Sequence, residues 1–171
     1  MTKNLFTFPT PFTKSSKKPS IALSFFNKDT LKSWAKKQPK IVQTQIEQGG
    51  FKGSAKQVLI VKDAKGVPEM ILGGLGNPAH YLDSATIVQH LQTRLSKDFT
   101  ESHVFTLTST HDAETLTKIC LGWGLADYKF ESYKKSTAPT INMNFDQLPP
   151  KGGIPMIDSA PMKNAANTQG I

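Results

Sequence analysis

The chain is short of the residues on which stapled and metal-clustered folds depend. Its 171 residues include one cysteine, Cys120, and one arginine, Arg94. A single thiol excludes an intramolecular disulfide framework and any Cys-based zinc cluster, and it fits a reducing compartment. No apolar run approaches the roughly 18 residues that a membrane-spanning helix needs. The hydrophobic share, 37%, is below that of a typical globular chain, while 11 prolines and 12 glycines leave room for loops. The length suits one domain, which can bury a real core without staples.

Acidic residues are scarce at one end only. Residues 1–40 hold nine lysines against a single acid, Asp29, so this stretch alone carries the whole net charge of +8. Such a terminus attracts polyanions non-specifically and in a salt-dependent way, without reading sequence. A nucleic-acid-associated protein is therefore one alternative, beside a solvated tail and one charged helix face. Residues 1–19 lack acids and are rich in Ser, Thr and Lys. However, Pro9, Pro11 and Pro19 break any amphipathic transit helix, and no apolar core of a secretory signal is present. This stretch reads as a disordered basic leader.

Beyond the leader, strands alternate with helices. Ile21 to Phe26 reads as a strand, followed by a helix capped by Asn27 or Asp29 and carrying Leu31, Trp34 and Ala35. Pro39 opens a second helix that buries Ile41, Val42 and Ile46 and stops at Gly49-Gly50. Gln57 to Val61 suits a strand covered on both faces. The turn Asp63 to Gly66 leads to its partner, Val67 to Leu72, where Pro68 argues for an edge or a bulge. Gly73, Gly74 and Gly76 then suggest a tight strand-to-helix turn. A helix from about Ser84 to Leu95, capped by Asp83 or Ser84, carries Ile87, Val88, Leu91 and Leu95. Val104 to Leu107 is a strand. Asp112 caps a last helix with Leu116, Ile119, Cys120 and Trp123 in its stripe. This alternation predicts an α/β fold, a mixed sheet flanked by helices in three layers. One more strand is expected near Ile141 to Phe145. Residues 20–145 form the domain, and residues 146–171 read as a Pro/Gly-rich linker.

Three segments resemble the N-terminal domain of the leucyl aminopeptidase (cytosol aminopeptidase) family. They are Phe51-Lys52-Gly53 before Gln57 to Ile60, Ile71-Leu72-Gly73-Gly74-Leu75-Gly76, and Gly122-Trp123-Gly124-Leu125 with Tyr128, Phe130 and Tyr133-Lys134. In order and spacing they cover about residues 20–135, and Lys163 to Asn167 is faintly similar to the segment that opens the catalytic part. The resemblance implies a macro-domain-like, non-catalytic domain that contributes to assembly and shapes access in a cytoplasmic, hexameric metallopeptidase. The family's two divalent metal ions (Zn or Mn) are bound in a catalytic domain absent from these residues. Its implied partners are its own catalytic domain or further copies of itself, and no membrane. No peptidase activity is expected from these residues alone.

The residues offer little chemistry of their own. His80, His90, His103 and His111 are scattered and form no H-E-x-x-H, so surface or capping roles are the default. Asp112 and Glu114 read as first-turn charges facing a helix dipole. Cys120 lies on a buried stripe, where a small core residue is the simpler reading. Gly122 and Gly124 inside a helix cost about 1 kcal/mol each against alanine, which close packing of the helix on the sheet would offset. No nucleophile elbow G-x-S-x-G is present. The one candidate ligand loop is Gly73, Gly74 and Gly76, where backbone amides near a helix start suit a phosphate. The alternative function is thus a module binding ADP-ribose or a nucleotide, which the macro-domain likeness also implies.

Overall fold

The computed structural model describes residues 12–13, 16–127 and 140–144. Along them run β1 (Phe12–Thr13), β2 (Ser20–Phe26), α1 (Lys28–Ala35), α2 (Lys40–Gln48), β3 (Val58–Lys62) and β4 (Pro68–Gly74). The second half adds α3 (Tyr81–Arg94), α4 (Lys97–Ser102), β5 (Val104–Leu107), α5 (Ala113–Asp127) and β6 (Met143–Asn144). The strands form one sheet in the order β1-β6-β5-β2-β4-β3. Neighbours are parallel except β3 and β4, which pair antiparallel through the Asp63 to Gly66 turn.

Side-chain alternation along β2 divides the molecule into layers. Ile21, Leu23 and Phe25 face a core shared with Ile87 and Leu91 of α3 and Ile119, Cys120 and Trp123 of α5. Phe26 faces the opposite core, with Leu31 of α1, Val42 and Ile46 of α2, and Leu72 of β4. A sheet buried on both faces calls for near-continuous apolar strands, which explains why β2 and β3 lack a simple polar alternation. In β3, Val58 and Ile60 pack on the first core while Leu59 and Val61 pack on the second. The three-layer α/β reading of the sequence holds, and so does Pro68: it begins β4 opposite a register shift at Val61/Lys62, where a missing N–H is harmless.

Several boundaries differ from expectation. Helix α3 starts at Tyr81 rather than Ser84 because His80 caps it: the Leu82 N–H donates to His80 Nδ1 at 3.2 Å, and Asp83 closes back on the His80 N–H at 3.0 Å. Asp83 is therefore the third helical residue of a capping box and not the cap itself. Asn27 does cap α1, accepting from the Thr30 N–H at 2.9 Å while the Thr30 hydroxyl accepts from the Asn27 N–H at 3.0 Å. Ile41, expected in the core, is 53% exposed, since Val42 and Ile46 at i, i+4 hold the buried stripe of α2. The short helix α4 has no counterpart in the sequence reading; one turn capped by Ser96 is too brief for a periodic stripe.

The glycine step in α5 packs against a helix, not against the sheet. A β-carbon on Gly122 would overlap the Tyr81 carbonyl oxygen and the Ser84 hydroxyl of α3, whereas among the described residues one on Gly124 would meet only the Phe12 ring at 3.6 Å. Ser84, fully buried, donates its hydroxyl to the Ile119 carbonyl at 2.9 Å across the same contact. Trp123 is likewise buried and donates its indole N–H to the Ile141 carbonyl at 2.8 Å, tying α5 to the approach to β6. Within the stretch read as a leader, Phe12 and Thr13 pair with Met143 and Asn144 as an edge strand. Most of that leader, Tyr128, Phe130, Tyr133, Lys134 and the stretch 146–171 read as linker lie outside the described residues. No helix among the described residues is long and apolar enough to cross a membrane.

Candidate functional site

The parallel strands β4 and β2 end side by side at Gly74 and Phe26, and β5 ends at Leu107 beside Leu23. Beyond β2 the chain leaves to one side to build β3 and β4, then returns on the other side as β5. Loops therefore diverge over the carboxyl ends of these strands and leave a crevice, the place where open α/β sheets bind ligands. Here the crevice is a cleft of about 850 Å³, lined by residues that include Ser24, Asn27, Trp34, Asn77 and the run Thr108 to Asp112.

One wall is a hydroxyl network. Ser24 points away from Leu23 and Phe25 by strand alternation, is 4% exposed, and lies 2.6 Å from the Thr108 hydroxyl. Thr108 in turn donates to the Leu23 carbonyl at 3.2 Å. The Phe25 N–H donates to Ser109 Oγ at 2.9 Å, and that oxygen is 2.7 Å from His111 Nε2. A further hydroxyl pair, Ser20 with Thr106, extends the row along β2 and β5.

His111 is half-buried with its ring edge toward Phe25, at a centroid distance of 6.4 Å. Burial holds its pKa below the ordinary 6.5, partly opposed by the nearby Asp112 carboxylate. Asp112 caps α5, accepting from the Thr115 N–H at 2.7 Å, and hydrogen bonds from the Thr115 side chain and backbone hold its carboxyl below the usual range. Lys118, the one lysine lining the cleft among the described residues, sits 2.7 Å from Glu114. On the far wall Trp34 leans on Phe26 with ring centroids 4.6 Å apart.

The glycines singled out as a ligand loop are placed differently. Gly73 and Gly74 lie inside β4, and the turn into α3 is formed by residues 75–80, with a cis Asn77–Pro78 peptide. The Gly74 N–H donates to the Gln57 carbonyl at 2.7 Å, and a β-carbon there would overlap the Ser54 carbonyl oxygen. On Gly73 a β-carbon would come 2.7 Å from the Phe25 ring. Gly76 lines the cleft, but its N–H donates to the buried Asp83 carboxylate at 2.9 Å. Asp83 thus occupies the position that a phosphate would take at this helix start.

The remaining reactive side chains stand apart. His80 caps α3, and His103 stacks on Phe99 with centroids 4.0 Å apart. Cys120 is buried, which pushes its thiol up to about 12. Among the described residues no group of three or more His, Cys, Asp or Glu side chains is placed to hold a metal ion. Among the described residues, the Asp83 and Asp112 carboxylates are spent on helix caps and do not fit the metal pair expected from the family resemblance. Sequence reading missed the hydroxyl wall. Its available signal was the run Thr108-Ser109-Thr110-His111 directly after a strand.

A family model described as M17 aminopeptidase, N-terminal domain, matches residues 21–145. The chain belongs to the M17 aminopeptidase family. No curated protein matches this member of it. Among solved structures, the fold is similar to a cytosol aminopeptidase from Coxiella burnetii, with a TM-score of 0.62 and 21% identity. That similarity covers 78% of this M17 chain but only 28% of the solved one.

Proposed function

We propose that these residues act as the non-catalytic N-terminal domain of an M17 aminopeptidase, contributing to assembly and to shaping access to a catalytic domain. The observation that carries this reading is the placement of the family match, which spans residues 21–145 and is that of the family's N-terminal domain. The short share of the solved aminopeptidase that the chain covers, 28%, supports it further. Under this reading the partner is the catalytic domain or further copies of the chain in a hexamer, the site of action is the cytosol, and the two divalent ions are held elsewhere. Incubating the purified chain with a chromogenic leucine amide and Mn²⁺ or Zn²⁺ is expected to release no chromophore above buffer. Metal-dependent release that tracks the pure protein through a final column would overturn the reading.

A further inference from the structure

The cleft over the carboxyl ends of β2, β4 and β5 has a polarity that selects among ligands. The Thr108 hydroxyl reaches the Leu23 carbonyl at 3.2 Å and Ser24 Oγ at 2.6 Å, and in the second pair either oxygen can be the donor. In either arrangement at least one hydroxyl hydrogen is held inside the protein, and both oxygens keep a lone pair to offer a ligand. Carboxylates of Asp112 and Glu114 stand at the same cleft, and the ammonium of Lys118 is already held by Glu114.

Among the described residues lining this cleft, the only lysine or arginine is Lys118, which is paired with Glu114. Three of the backbone amides at the neighbouring helix starts are taken: the Asn27 side chain accepts from those of Asp29 and Thr30 in α1, and Asp112 accepts from that of Thr115 in α5. A phosphate would be desolvated beside the carboxylates of Asp112 and Glu114, which raises the cost of placing it here. A ring that carries hydroxyls or an amine has the opposite polarity, and its C–H face matches the apolar wall of Trp34 and Phe26. The volume, about 850 Å³, lies inside the range of small-molecule sites.

We propose that this cleft binds a sugar-sized, hydroxyl- or amine-bearing ring without an anionic group, its donors meeting the Thr108 and Ser24 oxygens and its face lying against Trp34. The inference is independent of the role proposed above for the whole chain.

The test titrates the 171-residue chain with glucose, glucosamine and glucose 6-phosphate, which share one ring and differ in charge. Trp34 emission is the readout, and the Trp34→Phe variant, which keeps the buried Trp123, assigns the signal. A saturable change is expected for glucose or glucosamine, with glucose 6-phosphate weaker by about tenfold. Glucosamine ahead of glucose places the gain on the carboxylates, and equal affinities place it on the hydroxyls; either outcome supports the site. Thr108→Val removes the acceptor with little change in shape and is expected to weaken binding roughly tenfold. Ser24→Ala serves the same purpose should that variant not fold. Glucose 6-phosphate binding as tightly as the other sugars would overturn the proposal. So would the lack of saturation by about 50 mM of either unphosphorylated sugar, or unchanged affinity in a folded Thr108 or Ser24 variant.

Discussion

Gly122 and Gly124 sit two residues apart in one helix and make opposite predictions. At Gly122 the neighbouring atoms are the Tyr81 carbonyl and the Ser84 hydroxyl, neither of which can move without shifting α3. Gly122→Ala is therefore expected to destabilise by about 3 kcal/mol, the upper end of overpacking costs. At Gly124 a β-carbon meets ordinary contact distance, so Gly124→Ala should stabilise by up to about 1 kcal/mol through helix propensity. Urea denaturation of the two variants measures both signs. His111 makes a prediction of another kind. Its folded pKa lies below the ordinary 6.5, so between those two values the unfolded chain binds the additional proton. The stabilisation is complete above the unfolded pKa and is lost as pH falls through the folded one. A stability profile of His111→Gln should be flatter than the parent below about pH 6.5, with the imidazole titration followed by NMR.

At the scale of elements, the start of α3 depends on one carboxylate. Asp83 is 2% exposed and accepts from both the Gly76 and His80 amides, so it fixes the helix start and the end of the preceding turn together. Asp83→Ala leaves the part-buried Gly76 and His80 amides without their acceptor and is expected to cost about 2 kcal/mol. Asp83→Asn, which keeps an acceptor oxygen, should lose clearly less, and thermal melts distinguish the two. The same residue shows how far local reading reaches. Asp83 was visible in the sequence as a capping residue, and so was Asn27, because capping follows from residue type and spacing of three. His80 as the cap was not, since an imidazole gives no comparable local signal. Helices of two or more turns and the apolar strands were readable from periodicity, whereas α4 and the pairing of Phe12–Thr13 with Met143–Asn144 were not. A single capped turn and a two-residue strand carry too few residues for a period to appear.

On the scale of the molecule, Trp123 closes the domain. Its buried indole packs edge-on against Phe25, with centroids 6.4 Å apart, and reaches the Ile141 carbonyl. Trp123→Phe leaves that carbonyl without its donor and opens a void between α5 and the sheet. A loss of about 2–4 kcal/mol is expected from the two effects together, measurable by denaturation. Amide exchange in residues 140–144 should rise more than in β2, whose pairings with β4 and β5 are longer than those of the two-residue β6.

Residue order alone determined that this chain alternates strands and helices, which faces of those elements are apolar, and which aminopeptidase family its glycine and aromatic steps resemble. Those features are local: each depends on neighbours within a turn or two of helix, or on alternation within one strand. The tertiary structure decided where the glycines act and which polar groups share a cleft. Gly122 serves a helix–helix contact, Gly74 lies inside a strand, and Ser24 meets Thr108 from 84 positions away. Such meetings follow from strand order, set by how two cores are buried on opposite faces of one sheet, and no local spacing encodes that order.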